Sequence, residues 1–185
     1  MVKHMRPAIL AALALIISAC ASSRSLDKSV SDFTGNAELK GSLFTDRSHD
    51  YSDIDITLYE GRLMLTGSMR SEVGRTILIE NAWTANGVDQ VIDEIFIGDK
   101  TSIGQGFADA RIDQTLRTRL IASEAVSGRF KIAVSNGVVY LIGDARDQNE
   151  LETTLAIASN VSGVGKVVNH VNTRAPLPSL ISDAR

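Results

Sequence analysis

The chain has 185 residues, with 19 Lys and Arg against 22 Asp and Glu and a formal net charge of −3. A globally acidic chain does not favour nucleic acid as a partner, so we predict no nucleic-acid binding. Cys20 is the only cysteine, so no disulfide can form within the chain, and stability must come from packed cores.

The first 20 residues predict a secretory signal that ends in a lipid attachment site. Lys3 and Arg6 give a positive start, residues 8–17 are apolar, and small residues precede Cys20. At about 10 residues, the apolar run is too short to span the ~30 Å of a bilayer core. The segment Ile17-Ser18-Ala19-Cys20 resembles the bacterial lipobox. This resemblance implies transfer of diacylglycerol to the cysteine, cleavage before it, and N-acylation of the new terminus.

Three acyl chains on Cys20 would hold the protein on a membrane permanently, because two chains already suffice. In lipoproteins of this kind an aspartate after the cysteine favours the inner membrane, whereas this chain has Ala21, which implies the outer membrane and its periplasmic face. We predict a signal peptide over residues 1–19 and an N-terminal linker over residues 20–27. The alternatives are an ordinary signal peptide with a coincidental cysteine, or an uncleaved anchor helix. Cleavage leaves 17 basic and 22 acidic residues, a net charge of −5.

Two copies of one unit follow this leader. Residues 54–97, laid over residues 130–173 at an offset of 76, give 9 identities in 44 columns without a gap, where chance gives roughly three. Three of the matched residues are glycines at turn-like positions, and matched aliphatic residues keep their phase relative to them. The identical pairs are Ile56/Ile132, Gly61/Gly137, Leu65/Leu141, Gly67/Gly143, Arg70/Arg146, Ala82/Ala158, Gly87/Gly163, Val88/Val164 and Val91/Val167.

Each unit contains a predicted β-hairpin. In the second unit apolar residues alternate with others over residues 130–135, and Asn136-Gly137 then precedes the β-rich run Val138–Ile142. Asn-Gly between two such runs is a strong hairpin signal, because a type I′ turn needs two residues that tolerate positive φ. Glu60-Gly61 stands at the same place in the first unit.

Helical periodicity surrounds each hairpin. A stripe of apolar residues predicts a helix after the hairpin in both units. Gly87 and Gly163 are predicted to cap these helices in the left-handed conformation, and valine-rich third strands follow. A stripe at every fourth residue predicts an amphipathic helix over Phe107–Ser123, ahead of the second hairpin. The stripes are Val73, Ile77 and Ala82; Leu151, Leu155 and Ala158; Ala108, Ile112, Leu116 and Leu120; and Leu39 and Leu43 ahead of the first hairpin.

The predicted fold class is therefore α+β. It consists of two tandem αββαβ sandwiches, each a small three-stranded mixed sheet with two helices on one face. The predicted segments are domain 1 over residues 28–98, a linker over 99–106, domain 2 over 107–174 and a flexible C-terminal tail over 175–185.

Two glycine-bounded strands carry a family resemblance. Gly61–Gly67 and Gly137–Gly143, each followed by a helix and a Gly-Val pair, resemble the BON domain. Together with the lipobox, they make the chain similar to dual BON-domain envelope lipoproteins over about residues 28 to 174. The resemblance implies a protein that binds anionic phospholipid and helps to maintain envelope integrity, without catalytic activity or cofactor.

The resemblance also implies that the first helix of domain 2 contacts lipid. Arginine can bind phosphate while its stem lies against acyl chains, and each basic residue near an anionic surface contributes about 1 kcal/mol. Family members carry an aromatic residue near the start of this helix, where this chain has Arg111 with Phe107 one turn earlier. In the alternative interpretation, the aliphatic residues face the core and the arginines are a solvated face. The predicted phospholipid-binding residues are Arg111, Ile112, Arg117, Arg119 and Leu120.

A second hypothesis is a non-catalytic adaptor whose exposed sheet faces dock an outer-membrane assembly machine or a cell-wall partner. Its partner-binding candidate is Trp83, at the end of a predicted helix. The duplicate position holds Ser159, so the fold itself does not demand an aromatic residue there.

The sequence gives little support to an enzyme or a metal protein. Its three histidines, His4, His49 and His170, are far apart in the sequence and suggest no nucleophile with its base. Four aspartates surround His49, but their spacing is not that of a calcium loop, so we predict no metal site. They are Asp46, Asp50, Asp53 and Asp55.

Overall fold

The computed structural model describes residue 41, residues 48–127 and residues 129–173. The predicted signal peptide, Cys20, the 20–27 linker and the 175–185 tail lie outside these ranges. The predicted first helix of domain 1 also lies outside them, apart from Gly41, which is helical. The elements are β1 (Ile54–Tyr59), β2 (Arg62–Met69), α1 (Glu72–Thr84), β3 (Gln90–Ile97), α2 (Ile103–Ile121), β4 (Phe130–Ser135), β5 (Val138–Ala145), α3 (Gln148–Ser159) and β6 (Lys166–Thr173).

Two three-stranded mixed sheets, ordered β1-β2-β3 and β4-β5-β6, form the frame. In each, the hairpin strands pair antiparallel and the third strand runs parallel to the middle one. Ile54 lies opposite Gly67 and Phe130 lies opposite Gly143, so the two hairpins share one register at the repeat spacing. The predicted α+β class with two such sheets is confirmed.

The hairpin turns have the backbone conformation that the sequence predicts. Asn136 and Gly137 have φ values of 51° and 74°, and Glu60 and Gly61 have values of 48° and 80°. Two consecutive residues at positive φ are what a type I′ turn requires. The predicted hairpins are therefore confirmed, even where a glutamate takes the first turn position.

Two details of the helices differ from prediction. Gly87 and Gly163 have positive φ, but α1 and α3 end earlier, at Thr84 and Ser159, so the glycines lie in the following turns and are not the caps. The helix ahead of the second hairpin begins at Ile103, four residues before the predicted start, and residues 103–106 of the predicted linker belong to it.

Each unit has its own core, which lies between the sheet and α1 in the first unit and between the sheet and both α2 and α3 in the second. The first core includes Leu63 and Leu65 from β2 with Leu78 and Ala82 from α1. Val73, predicted to lie on the same stripe, is exposed instead, because it precedes Leu78 by five residues and so lies about 140° away around the helix. The second core joins both helices to the sheet through Ile112, Leu116, Leu120, Val139, Leu141, Leu151 and Ala158.

A third apolar cluster joins the two sheets to each other. It contains Met64 and Ile92 from the first unit and Ala133, Tyr140 and Ile142 from the second. Strands β2 and β5 are buried along nearly all of their length, since one face packs on helices and the other on the opposite sheet. The expectation of exposed sheet faces is therefore wrong.

Polar contacts also join the two units. Nε2 of His170 lies 2.8 Å from Oε1 of Glu94, and these two positions are 76 residues apart, which is the repeat spacing. This contact therefore joins equivalent positions of the two copies. Arg62 also donates to the carbonyl oxygen of His170, and Nδ2 of Asn136 donates to Oγ of Ser68 at 2.9 Å.

Candidate functional site

Helix α2 lies on the second sheet with a defined start and a defined inner face. Oγ of Ser102 accepts a hydrogen bond from the backbone N–H of Gln105 at 3.2 Å, which is the N-cap contact. Every fourth residue from Ile112 to Leu120 then faces the core, as helical periodicity requires.

A buried carboxylate fixes the first half of α2 against the hairpin turn. Asp109 is only 6% exposed and accepts hydrogen bonds from the backbone N–H groups of Asn136 at 2.8 Å and Gly137 at 2.9 Å. Its Oδ1 also accepts from Nε2 of Gln105 at 2.8 Å. Sequence analysis missed this residue, although an aspartate on an otherwise apolar stripe, three residues before Ile112, was a usable signal.

Two of the five predicted phospholipid-binding residues lie in the core. Ile112 and Leu120 are 3% and 7% exposed and pack against the second sheet. The packing of these two side chains favours the alternative interpretation, in which the aliphatic residues face the core, and their contact with lipid stays a prediction.

The three predicted arginines have different surroundings. Arg117 binds Asp113 with two hydrogen bonds, from Nε at 2.7 Å and from Nη2 at 2.9 Å, and this contact raises the pKa of Arg117 above its ordinary value. Arg119 donates from Nη1 to the carbonyl oxygen of Asn160 at 2.9 Å, at the C-cap of α3. Within the described residues Arg111 has no hydrogen bond or ion pair, and its side chain is exposed. Among the three, Arg111 is thus the one that no protein contact in the described residues holds.

The outward side of α2 carries large apolar side chains. Ile103, Phe107 and Ile121 are 82%, 72% and 86% exposed. Ile121 follows Ile103 by five full turns, so the two lie on one line along the helix about 27 Å apart, with Phe107 and Arg111 beside that line. We call these four residues the outer face. Ile103 and Ile121 were missed because the sequence places the first in the linker and gives the second no special role.

A cleft of about 450 Å³ separates the inner side of α2 from the start of β1. Carboxylates dominate the charged groups along it, namely Asp53, Asp55, Asp109 and Asp113, with Arg117 as the cation. Asp53 is bound to Thr101, whose N–H and hydroxyl both donate to Oδ2, at 3.0 and 2.9 Å. These carboxylates are thus largely engaged with protein donors.

The aspartates near His49 are also engaged with protein groups. Nζ of Lys100 lies 2.6 Å from Oδ2 of Asp50, and this contact, with hydrogen bonds from Ser52, lowers the pKa of Asp50 to about 2. Asp46 lies outside the described ranges. Over residues 48–127 and 129–173, no three His, Cys, Asp or Glu side chains stand close enough to hold a metal ion.

Trp83 lies in the last turn of α1, with 53% of its surface exposed. Large apolar residues of this kind are enriched where proteins meet partners. As for membrane crossing, none of the helices within the described ranges has the length and apolar character that a bilayer span requires.

Comparison with known proteins adds a family match. The family model for the BON domain matches residues 31–99 and residues 108–175. The matched ranges contain both sheets and the outer face from residue 108 onward.

Three relatives are similar along most of the chain. A protein of Anaplasma centrale, named for the gshII 5′ region, is 31% identical over 126 residues, covering 67% of this chain and 83% of its own. A 21 kDa hemolysin of Actinobacillus pleuropneumoniae is 30% identical, covering 64% of this chain and 61% of its own. Outer membrane lipoprotein DolP of Haemophilus influenzae is 29% identical, covering 62% of this chain and 60% of its own. The match thus spans less than two thirds of the latter two.

Proposed function

This chain belongs to the BON-domain family, and we propose that it is an outer-membrane lipoprotein that binds anionic phospholipid and helps to maintain envelope integrity. In this proposal acylated Cys20 anchors the mature chain and the two domains face the periplasm. The lipobox-like segment supports the anchor, and the name of the Haemophilus relative supports the location. We further propose that domain 1 covers residues 28–98, that domain 2 covers residues 103–174, since α2 begins at Ile103, and that a tail follows over residues 175–185.

The observation that carries the proposal is the outer face of α2. Three large apolar side chains, each more than 70% exposed, lie along one side of a helix whose other side is fully packed. A helix of this design suits the plane of a membrane interface, with apolar side chains among the acyl chains and a basic group at the phosphates. Arg111 is a basic group on this side that no protein contact in the described residues holds.

The remaining arginines have lesser roles in this proposal. Asp113 offsets much of the charge of Arg117, and Arg119 is held by the end of α3. Both can add to the positive potential near the bilayer, but neither side chain can leave its present position without losing a protein contact. We therefore assign lipid contact to Ile103, Phe107, Arg111 and Ile121.

Vesicle co-sedimentation tests the site. Residues 20–185 with Cys20→Ser are mixed with vesicles that contain phosphatidylglycerol or only phosphatidylcholine. We expect binding to the anionic vesicles that falls as salt rises. Arg111→Glu changes the local charge by two units and should weaken binding about thirtyfold at low salt, since each charge contributes about 1 kcal/mol.

Two matched controls make that result specific. Lys166→Glu makes the same charge change at an exposed position of β6, and Phe96→Ser removes an exposed aromatic residue from β3, as Phe107→Ser does from α2. Both controls should bind like the parent protein. If Lys166→Glu weakens binding as much as Arg111→Glu, only net charge matters and the proposed site is wrong.

The envelope role has its own test. Deletion of the gene should sensitise cells to detergent and vancomycin, because barrier failure follows from loss of an envelope protein and not from loss of a metabolic one. Complementation with a Cys20→Ser version should fail if the acyl anchor is needed. Normal resistance in the deletion strain would contradict the envelope proposal. The role proposed here is non-catalytic.

A partner-binding adaptor is the second candidate, favoured by the exposed Trp83. Because the sheet faces are covered by each other, a partner would have to use the helical surfaces. Trp83→Ala should then remove a defined partner from cross-linked envelope fractions while vesicle binding persists. Unchanged cross-linking would argue against this function.

A further inference from the structure

A second cleft, of about 430 Å³, lies between the C-terminal end of α2 and the start of β4. We call it the α2–β4 cleft. Its apolar lining residues are Leu120, Ile121, Val126, Phe130 and Ile132. The two other lining residues, Arg117 and Ser127, are polar and solvent-exposed. Small-molecule sites in proteins commonly have volumes of about 300–1,000 Å³ and mostly apolar walls with a few polar groups.

We infer that the α2–β4 cleft takes one acyl chain of a membrane phospholipid, with the phosphate beside Arg117. This inference rests on the proposed function and extends it from the outer face to the cleft. Ile121 joins the two, because it belongs to the outer face and also lines the cleft. A chain that leaves a bilayer in contact with the outer face can therefore enter the cleft along apolar surface, without crossing water.

The head-group side of the cleft is preorganised. Nε and Nη2 of Arg117 bind Asp113, and Nη2 also donates to the carbonyl oxygen of Ile132 at 3.2 Å. These bonds hold the guanidinium in place, and within the described residues its Nη1 has no hydrogen-bond partner. A phosphate oxygen can accept from this group without breaking the existing contacts.

The contact between the phosphate and Arg117 should decide how tightly the cleft holds a lipid. An acyl chain that passes from the bilayer into the cleft moves between two apolar surroundings, so its methylenes add little to the affinity. Asp113, in turn, offsets much of the charge of Arg117. Asp113→Asn should therefore tighten binding to phosphatidylglycerol vesicles, and Arg117→Gln should weaken it, each by up to about fivefold. Arg70→Gln, which removes an exposed arginine of the first unit that is paired with Asp99, is the matched control.

Fluorescence quenching by bromine-labelled acyl chains tests the cleft directly. Residues 20–185 with Cys20→Ser and Trp83→Phe receive one reporter, Phe130→Trp in the cleft or Phe107→Trp on the outer face. Vesicles contain phosphatidylglycerol with brominated chains. We expect both reporters to be quenched. Adding Val126→Phe should fill the cleft and reduce quenching of the Phe130→Trp reporter more than twofold, whereas Val73→Phe, on exposed surface of α1, should not.

The outcomes separate this inference from the proposed function. If the protein binds and only the Phe107→Trp reporter is quenched, acyl-chain binding in the cleft is contradicted and the proposed function stays intact. No binding by any version overturns both. If Val126→Phe leaves the quenching of the Phe130→Trp reporter unchanged, the whole end of α2 enters the bilayer. That result also contradicts acyl-chain binding in the cleft. Quenching by monomeric brominated stearate but not by vesicles overturns the bilayer source. If Phe130→Trp does not fold, Ser127→Trp reports from the cleft edge.

Discussion

Glu150 lets the pH dependence of stability be worked from the structure. Its side chain is 1% exposed and lies at the N-terminal end of α3. Oε2 accepts from the backbone N–H of Arg146 at 2.5 Å and from its Nε at 3.2 Å. The backbone N–H of Ser127 donates to Oε1. Burial alone would raise the pKa of Glu150, but these hydrogen bonds outweigh it and lower the pKa to about 2.

The sign of the effect follows from this lowered pKa. A carboxyl with a folded-state pKa of about 2 and an ordinary value of 4.5 stabilises the folded protein above pH 4.5 and loses that contribution as the pH falls toward 2. The difference of about 2.5 units corresponds to about 3 kcal/mol at pH 7, and to roughly 1 kcal/mol at pH 3. Glu150→Gln removes the negative charge. It also replaces one carboxylate oxygen by an NH2 group, which faces N–H donors that now bind that oxygen.

Denaturant unfolding of the parent and of Glu150→Gln at pH 7 and pH 3 measures this difference. Circular dichroism follows the whole chain, and amide exchange in β5 reports on the second unit alone. We expect a gap of about 3 kcal/mol at pH 7 that closes to about 1 kcal/mol at pH 3. Glu152→Gln, at an exposed position of the same helix, is the control and should give almost no gap. A gap of equal size at both pH values would refute the reasoning.

Three further perturbations have defined expectations, each measured by denaturant unfolding. Gly67→Ala should lower the free energy of unfolding by more than about 2 kcal/mol, because Gly67 has positive φ and an added Cβ would overlap the carbonyl oxygen of Asp53. Gly104→Ala, in open space on α2, should raise it by about 0.5–1 kcal/mol. Asp109→Asn should cost about 2 kcal/mol, because both carboxylate oxygens accept N–H groups and an amide can satisfy only one side. A double-mutant cycle of Glu94→Ala and His170→Ala should give a coupling below about 1 kcal/mol, since both groups are partly solvated. Equal stability of the two glycine variants, a neutral Asp109→Asn, or a coupling well above 1 kcal/mol would each contradict its argument.

The unit fold was predictable because its signals are local. An Asn-Gly pair between β-rich runs fixes a two-residue turn, and the glycines that follow keep the same spacing in both copies. The duplication then confirmed each element by its partner: the register that pairs Ile54 with Gly67 recurs at Phe130 and Gly143. Backbone geometry of this kind depends on few residues, so a sequence can specify it without knowledge of distant contacts.

The predicted start of α2, at Phe107, was wrong, although the sequence contains a signal for the correct start. Gly104 and Gly106 disfavour a helix, and this made residues 99–106 resemble a linker. Ser102 and Gln105, however, have the Ser-x-x-Gln spacing of a capping box, which marks a helix start. The cap dominates here, and with it Ile103 becomes the first residue of the outer face.

The composition of the site could be predicted only in part. The spacing of Ile112, Leu116 and Leu120 already indicated an inward face, and the family resemblance then mixed two of these residues with outward arginines. The contact between Arg117 and Asp113 is an i, i+4 pair that sequence can suggest. The contact of Arg119 with the end of α3 depends on tertiary packing, and no local pattern reveals it.

The packing of the two sheets had a signal that was not used. Alternation predicts a strand with one buried face, but β2 contains Leu63, Met64 and Leu65 in succession, and β5 contains an apolar run from Val138 to Ile142. A continuous apolar run indicates a strand buried on both faces. Helix α1 covers one face of the first sheet, and α2 and α3 cover one face of the second. The other face of each sheet needs a partner surface, which in this structure is the other sheet.

The two units differ at the position of Glu150, the buried carboxylate whose protonation lowers stability in acid. The position equivalent to Glu150 is Gly74, and a Cβ there would approach the ring of His49 and the methyl group of Met69 to within 2.8 Å. Apolar and imidazole groups thus occupy the place of the buried carboxylate. The first unit has another carboxyl with a lowered pKa, Asp50, but its ion pair with Lys100 is exposed and screened by solvent, so it contributes little to stability. Acid should therefore loosen the second unit, which carries the outer face, before the first. Amide exchange at pH 3 should rise in β5 ahead of β2, and the reverse order would show that Glu150 does not decide which unit opens first.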